Sequence, residues 1–129
     1  MPLKTLLVDD SPTVRKAIRY HLMAYGCQDF SEADNAGQAL ELLRKEHHDL
    51  VTFDLMMPTL GGTSSEQAFA QMRREFPETA IVIISSIPYD KVKSEYINGG
   101  ALAYVVKPLT RFSFEPARQR LRRLFEEFR

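Results

Sequence analysis

A single cysteine, Cys27, stands in the 129 residues, so no internal disulfide can form and no cysteine-based metal site can be built. Cys27 is expected to act as a small hydrophobe near a helix end. Excess charge is missing too. Seventeen basic residues balance seventeen acidic ones, so no global field draws nucleic acid or an anionic membrane, and a partner must be recognised locally. The opening MPLKTLLVDD carries an apolar run too short for a signal peptide or a membrane span. A cytoplasmic protein is expected, with no membrane insertion and no direct contact with nucleic acid. Neither G-x-x-x-x-G-K-S/T nor G-x-G-x-x-G occurs, which removes the common phosphate loops of nucleotide binding. No linker, repeat or low-complexity segment interrupts the chain. With 44% hydrophobic residues, the length suits one domain over 1–129 and is too short for two ordinary ones.

Five aliphatic runs are present: Thr5 to Val8, a weaker alternating Gln28 to Ala33, Leu50 to Phe53, Ala80 to Ile84 and Leu102 to Val106. Four are nearly continuous in Val, Ile and Leu, as expected of parallel strands covered on both faces. Helical periodicity fills the gaps. Val14, Ile18, Leu22 and Tyr25 share one face, with Ser11 as candidate cap, Pro12 at a permitted first position and Gly26 past the end. Ala36, Leu40 and Leu43 mark a second helix. Ala68, Phe69, Met72 and Phe76 mark a third, stopped by Pro77, and Val92 and Tyr96 a fourth before Gly99-Gly100. Phe114, Ala117, Leu121, Leu124, Phe125 and Phe128 predict a fifth helix running to the C-terminus, its phenylalanines covered by the sheet. Strict alternation of strand and helix implies right-handed crossovers and a doubly wound α/β sandwich.

In such sheets chemistry gathers outside the carboxyl ends of the strands. There the chain places Asp9 and Asp10 after the first strand, Asp54 after the third, Ser85 and Ser86 after the fourth, and Lys107 before Pro108 after the fifth. Crowded carboxylates repel one another unless a cation neutralises them. All-oxygen ligands favour a hard ion, and Mg²⁺ suits one or two carboxylates, waters and a phosphate oxygen. Lys107 offers a point charge and Ser85 a hydroxyl donor to a phosphoryl group. Two acids would suffice to hold the metal, so Asp54 is read as a nucleophile that forms an aspartyl phosphate.

Each of these residues has a plainer reading. Asp9 and Asp10 suit the N-terminus of a helix beside Ser11, Lys107-Pro108 suits a loop, and Tyr104 suits core packing with an exposed hydroxyl. It is their joint occurrence that favours chemistry. His47 and His48, at the end of the second helix, are expected to be solvent-exposed and to interact with the helix dipole. From Lys107 to Arg129 seven basic residues face three acidic ones. They are read as a solvated helix face, with docking of an acidic partner as the sharper alternative.

Together these residues resemble the receiver domain of two-component response regulators, of the single-domain, chemotaxis-regulator-like kind. The resemblance covers essentially the whole chain. It is carried by VDDS around Asp9 and Asp10, FDLMMP around Asp54 with Pro58 four residues on, Gly62, Ser85, and YVVKP ending at Pro108. Lys107 lies 22 residues after Ser85, which leaves room for a helix and a strand between them. The resemblance implies a flavodoxin-like fold with strand order 2-1-3-4-5 and five helices. It also implies that Asp54 accepts a phosphoryl group from a sensor histidine kinase or phosphotransfer protein. Asp10, Asp54 and the backbone carbonyl of Met56 would ligate Mg²⁺, and Asp9 would act through a metal-bound water. Ser85 and Lys107 would contact the phosphoryl oxygens, while Ser85 and Tyr104 would switch the face made by the fourth helix, fifth strand and fifth helix, where a downstream protein docks. A phosphorylation-dependent homodimer is left open.

The chain departs from the family pattern at Gly61, which stands where an acid is common, and at Ser86, where alanine or glycine is usual. Met56 and Ile87 are apolar at positions that modulate hydrolysis, and neither can orient water by hydrogen bonding, so slow self-dephosphorylation is expected. The sequence ends at the fifth helix, so output is expected through contact with another protein unless the chain is a fragment. Two rivals are a haloacid-dehalogenase-like phosphatase, which would want a second aspartate where Met56 stands, and a receiver-like scaffold indifferent to phosphate.

Overall fold

The computed structural model describes residues 3–57 and 63–129. Its elements alternate without exception: β1 (Lys4–Val8), α1 (Pro12–Met23), β2 (Asp29–Ala33), α2 (Ala36–Lys45), β3 (Leu50–Phe53), α3 (Ser65–Glu75), β4 (Ala80–Ser85), α4 (Asp90–Asn98), β5 (Ala103–Val106) and α5 (Arg111–Leu124). The strands form one sheet in the order β2-β1-β3-β4-β5, every pair parallel. The predicted fold is the observed one. Pro58 and Gly62, which helped carry the family resemblance, and Gly61, which departs from it, lie outside the described residues.

Side chains alternate across the central strands, so the sheet separates two cores. Leu6, Val8, Val51, Phe53, Ile81 and Ile83 face α2, α3 and α4. Leu7, Leu50, Val82, Ile84 and Val105 face α1 and α5, where Phe114 and Leu121 are fully buried. That is why four strands read as unbroken aliphatic runs. The edge strand β2 is mostly half-buried, which accounts for its weaker signal. Ser11 caps α1 as predicted, its Oγ accepting from the Val14 amide at 3.3 Å, and Cys27 is buried near the helix end.

Two expectations fail. The fifth helix does not reach the C-terminus. It ends at Leu124, and Phe125 is already extended at φ −129° and ψ 121°. The chain then folds back, so that Phe128 is buried and stacks on Tyr25 at 5.5 Å between centroids, while the Arg129 amide donates to the Tyr25 carbonyl at 2.8 Å. Leu124 is left 56% exposed. Gly26, with φ +102°, makes this return possible, because a Cβ there would lie 2.7 Å from the Glu127 carbonyl oxygen.

The second failure is His48. His47 is exposed as predicted, but His48 is only 1% accessible. It sits in the connection before β3, with its Nδ1 3.1 Å from the Glu46 carbonyl. Its own carbonyl accepts from Thr79 Oγ1 at 2.8 Å, and its Nε2 has no partner among the described residues. Burial pushes the imidazole below its usual pKa, so the neutral ring is the folded form. Protonation then belongs mainly to the unfolded chain, and stability is lost as pH falls below the unfolded value of about 6.5. Between pH 7.5 and 5.5 the melting temperature is expected to fall more steeply for the wild type than for His48→Gln; parallel pH profiles would contradict the assignment.

Candidate functional site: an acidic crevice with one amine

The polar residues at the strand ends converge. Asp9 follows β1, and its amide donates to the Ala33 carbonyl at 3.1 Å, continuing the ladder to β2. The Asp54 amide donates likewise to the Val8 carbonyl at 3.1 Å, one residue past β3. Extending the sheet hydrogen bonds in this way fixes where the two carboxylates begin, and both residues are buried. Asp10 is exposed at the rim. One carboxylate oxygen from each of Asp9, Asp10 and Asp54 lies within 4.8 Å of the other two.

Lys107 enters from the end of β5, its amide donating to the Ser85 carbonyl at 2.8 Å. Its Nζ lies 2.9 Å from Asp9 Oδ2 and 3.4 Å from Asp54 Oδ2. The other oxygen of Asp9 accepts from the Ser11 amide at 2.9 Å, and the other oxygen of Asp54 from the Met56 amide at 3.1 Å. Asp9 is thus doubly satisfied. Burial holds the Asp54 carboxyl above its ordinary pKa, with the Met56 amide and Lys107 pulling the other way and Asp9 adding repulsion. Burial lowers the Lys107 ammonium, but its bond to Asp9 and the nearby acids outweigh this and leave it raised. Among the described residues Lys107 therefore pairs with two of the three carboxylates, Asp9 and Asp54. An all-oxygen cluster left short of positive charge has the donor chemistry of a hard divalent cation, so the residues present fit Mg²⁺.

Removing that ammonium would leave the Asp9 carboxylate buried without its partner. Lys107→Met is expected to cost about 1–3 kcal/mol at neutral pH. Because a bound ion stabilises the folded state by mass action, added Mg²⁺ is expected to recover part of the loss. Denaturant titration with and without the ion tests both, and an unchanged midpoint for the variant would refute the pairing.

Ser85 and Tyr104 meet at one residue. Ser85 Oγ accepts from the Ile87 amide at 3.3 Å, and the Tyr104 hydroxyl donates to the Ile87 carbonyl at 2.8 Å. Tyr104 is half-buried, packed against Tyr96 of α4 with centroids 6.4 Å apart; its hydroxyl is held rather than free. Met56 is 58% exposed. Sequence reasoning missed Arg15, whose Nη1 donates to the Asp9 carbonyl at 2.6 Å and whose Nε pairs with Glu32 at 2.8 Å. The only available signal was its place in the first turn of α1, directly after the acids. It also missed Ser65, whose Oγ donates to the Leu55 carbonyl at 3.0 Å and so ties α3 to the residue after Asp54.

A model of the response regulator receiver domain matches residues 5–115. The chemotaxis protein CheY of Bacillus subtilis is 30% identical over 108 residues, which are 84% of this chain and 88% of that one. A protein-glutamate methylesterase/protein-glutamine glutaminase of Hahella chejuensis is 29% identical over 108 residues, 82% of this chain but 30% of its own length. Among solved structures, the response regulator TrrA of Thermotoga maritima, in complex with Mg²⁺-BeF, superposes with a TM-score of 0.76 at 26% identity, covering 95% of this chain and 99% of that one. Receiver domains bind Mg²⁺ at an acidic pocket, and this chain has such a cluster in the same fold. With the family model spanning most of its length and the acids, hydroxyl and amine gathered at the strand ends, the chain belongs to the response regulator receiver domain family.

Proposed function

We propose that Asp54 is the phosphoacceptor, taking a phosphoryl group from the phosphohistidine of a sensor histidine kinase or phosphotransfer protein. The observation that carries this is the geometry of the crevice: three carboxylates within 4.8 Å of one another, served by a single ammonium 2.9 Å from Asp9 and 3.4 Å from Asp54. In the transfer an Asp54 carboxylate oxygen bonds to phosphorus as the phosphorus–nitrogen bond breaks. The electron pair of that bond stays on the imidazole, which takes up a proton. Lys107 would follow the developing charge onto the phosphoryl oxygens, and Ser85 would donate its hydroxyl to one of them. Asp10, Asp54 and the Met56 carbonyl would hold Mg²⁺, with Asp9 acting through a water. Bound there, the ion supplies charge neutralisation to the phosphoryl oxygens.

The output follows from the Ile87 hydrogen bonds. Drawing the Ser85 hydroxyl toward phosphate takes it from the Ile87 amide, and the same peptide segment anchors Tyr104. Phosphorylation would thereby repack the face of α4, β5 and α5, where a downstream protein docks. Inverting a resting 1:99 population needs about 5.5 kcal/mol of differential stabilisation. We read residues 1–129 as one signalling domain of the cytoplasm that turns over no external substrate. No helix among the described residues is long and apolar enough to cross a membrane. A phosphatase would require an acid two residues beyond the nucleophile, where Met56 stands.

Acetyl phosphate with Mg²⁺ is expected to label the protein once per chain, and chelation to prevent it. Multiple-turnover hydrolysis of phosphomonoesters would favour a phosphatase instead. After removal of the donor, the label is expected to decay slowly, because Met56 and Ile87 cannot orient an attacking water. Met56→Asn and Ile87→Glu are expected to shorten its lifetime; unchanged or longer lifetimes would count against that reading.

A further inference from the structure

Helices α3 and α4 leave a trough between them. One part, of about 270 Å³, is lined by Phe69 and Ala70 on one side and Tyr96 and Gly99 on the other. A second, of about 350 Å³, shares Glu66, Glu95 and Tyr96 with it and extends past Val92 to Ile87 and Leu55. The floor is aromatic, with Phe69 and Tyr96 packed edge to face at 5.0 Å. The charged residues along its whole length are Glu66, from α3, and Glu95, from α4. Neither forms an ion pair among the described residues. Other acids of the surface are paired: Glu32 with Arg15, Glu75 with Arg44, Glu46 with Lys4.

Helix stability does not account for both acids. Glu66 sits in the first turn of α3, where the dipole favours it. Glu95, however, lies in the second half of α4, where the dipole disfavours an acid. Both carboxylates bear on the phenol between them. Burial, followed by Glu66, Tyr104 and Glu95, pushes the Tyr96 hydroxyl up to about 12. Two unpaired carboxylates over paired aromatic rings make a cradle for a cation on a hydrocarbon stem. The carboxylates fix its head and the apolar walls take the stem.

We infer that the α3–α4 trough docks a partner protein through a segment in which arginine or lysine alternates with aliphatic residues, its cation placed between Glu66 and Glu95 above Phe69 and Tyr96. This surface shares α4 with the α4, β5 and α5 face assigned to output but opens on its α3 side, and the inference does not depend on Asp54 being the phosphoacceptor. Charge complementarity selects the occupant. A lining with two acids and no base rejects an acidic segment and accepts a basic one.

The probe is a hexapeptide amide of alternating leucine and arginine, titrated to millimolar concentration into the ¹⁵N-labelled protein, with the glutamate counterpart as control. The arginine peptide is expected to shift the amides of Glu66, Phe69, Glu95, Tyr96 and Gly99, and the glutamate peptide to leave them unmoved. The double reversal Glu66→Lys/Glu95→Lys is expected to weaken binding by at least about tenfold. Glu75→Lys, which touches no part of the trough, should leave binding intact. If the double reversal unfolds, Glu66→Gln/Glu95→Gln gives a smaller loss in the same direction. Equal binding of both peptides, no shifts with either, an unaffected double reversal, or concentration-dependent shifts without peptide, which would mark a second copy as the occupant, would each overturn the inference.

Discussion

Asp54→Asn is expected to abolish labelling by acetyl phosphate and, in the absence of Mg²⁺, to make the protein more stable. The loss follows because an amide has no carboxylate oxygen to offer phosphorus, and Asp9 and Asp10 are committed differently. Asp9 is engaged by the Ser11 amide and Lys107, while Asp10 stands exposed at the rim. The gain follows from burial. A carboxyl whose pKa is raised in the folded protein binds its proton more tightly there than in the unfolded chain. At neutral pH its ionisation therefore works against folding, and the effect fades as pH falls through the folded value. Asparagine removes the charge yet keeps an oxygen to accept from the Met56 amide. The expected increase is about 0.5–2 kcal/mol, read as a higher denaturation midpoint near pH 7 and a vanishing difference in acid. Residual labelling at full stoichiometry would show the wrong nucleophile, and a lower midpoint would show that the Lys107 pair outweighs burial. Lys107→Met should move stability in the opposite direction although it removes a charge from the same crevice, and the contrast separates a site strained for function from one built for stability.

Phe114→Ala is expected to be the most damaging substitution outside the crevice, costing about 3–5 kcal/mol and lowering the melting temperature by roughly 10–20 °C. Phe114 is fully buried in the α1–α5 core. Its ring stacks on Tyr25 at 5.5 Å, meets His21 edge-on at 4.9 Å and lies 6.3 Å from Phe128. The cavity left by alanine therefore opens beneath the folded-back tail as well as beneath the helix. A loss below about 1 kcal/mol would mean that the tail closes over the gap.

The crevice was legible because each of its residues follows an aliphatic strand. Asp54 comes directly after Leu50–Phe53, whose four residues are all buried, so a charge in the next position must lie at the sheet rim. The parallel topology then brings Asp9, Asp54, Ser85 and Lys107 to a common edge. The C-terminal residues misled because Phe125 and Phe128 continue the spacing of Leu121, while the helical hydrogen bonds stop at the Phe125 amide, which donates to Leu121 at 2.9 Å. Glu126 and Glu127, unfavourable beside a helix C-terminus, were the neglected sign. His48 looked exposed because its neighbours are polar. Its burial depends on Thr79, 31 residues away, a contact no local pattern reveals. The trough beside α4 was equally silent, since Glu66 and Glu95 become neighbours only across two helices.

The return of the tail also settles where a tether to this protein would attach. Arg129 is tied to Tyr25, at the pole where the strands begin, whereas the acids lie where they end. The 14 residues of α5 place about 21 Å between these poles. A reporter or surface linker joined to Arg129 would hold the molecule by its foot, leaving the crevice facing outward to an incoming donor.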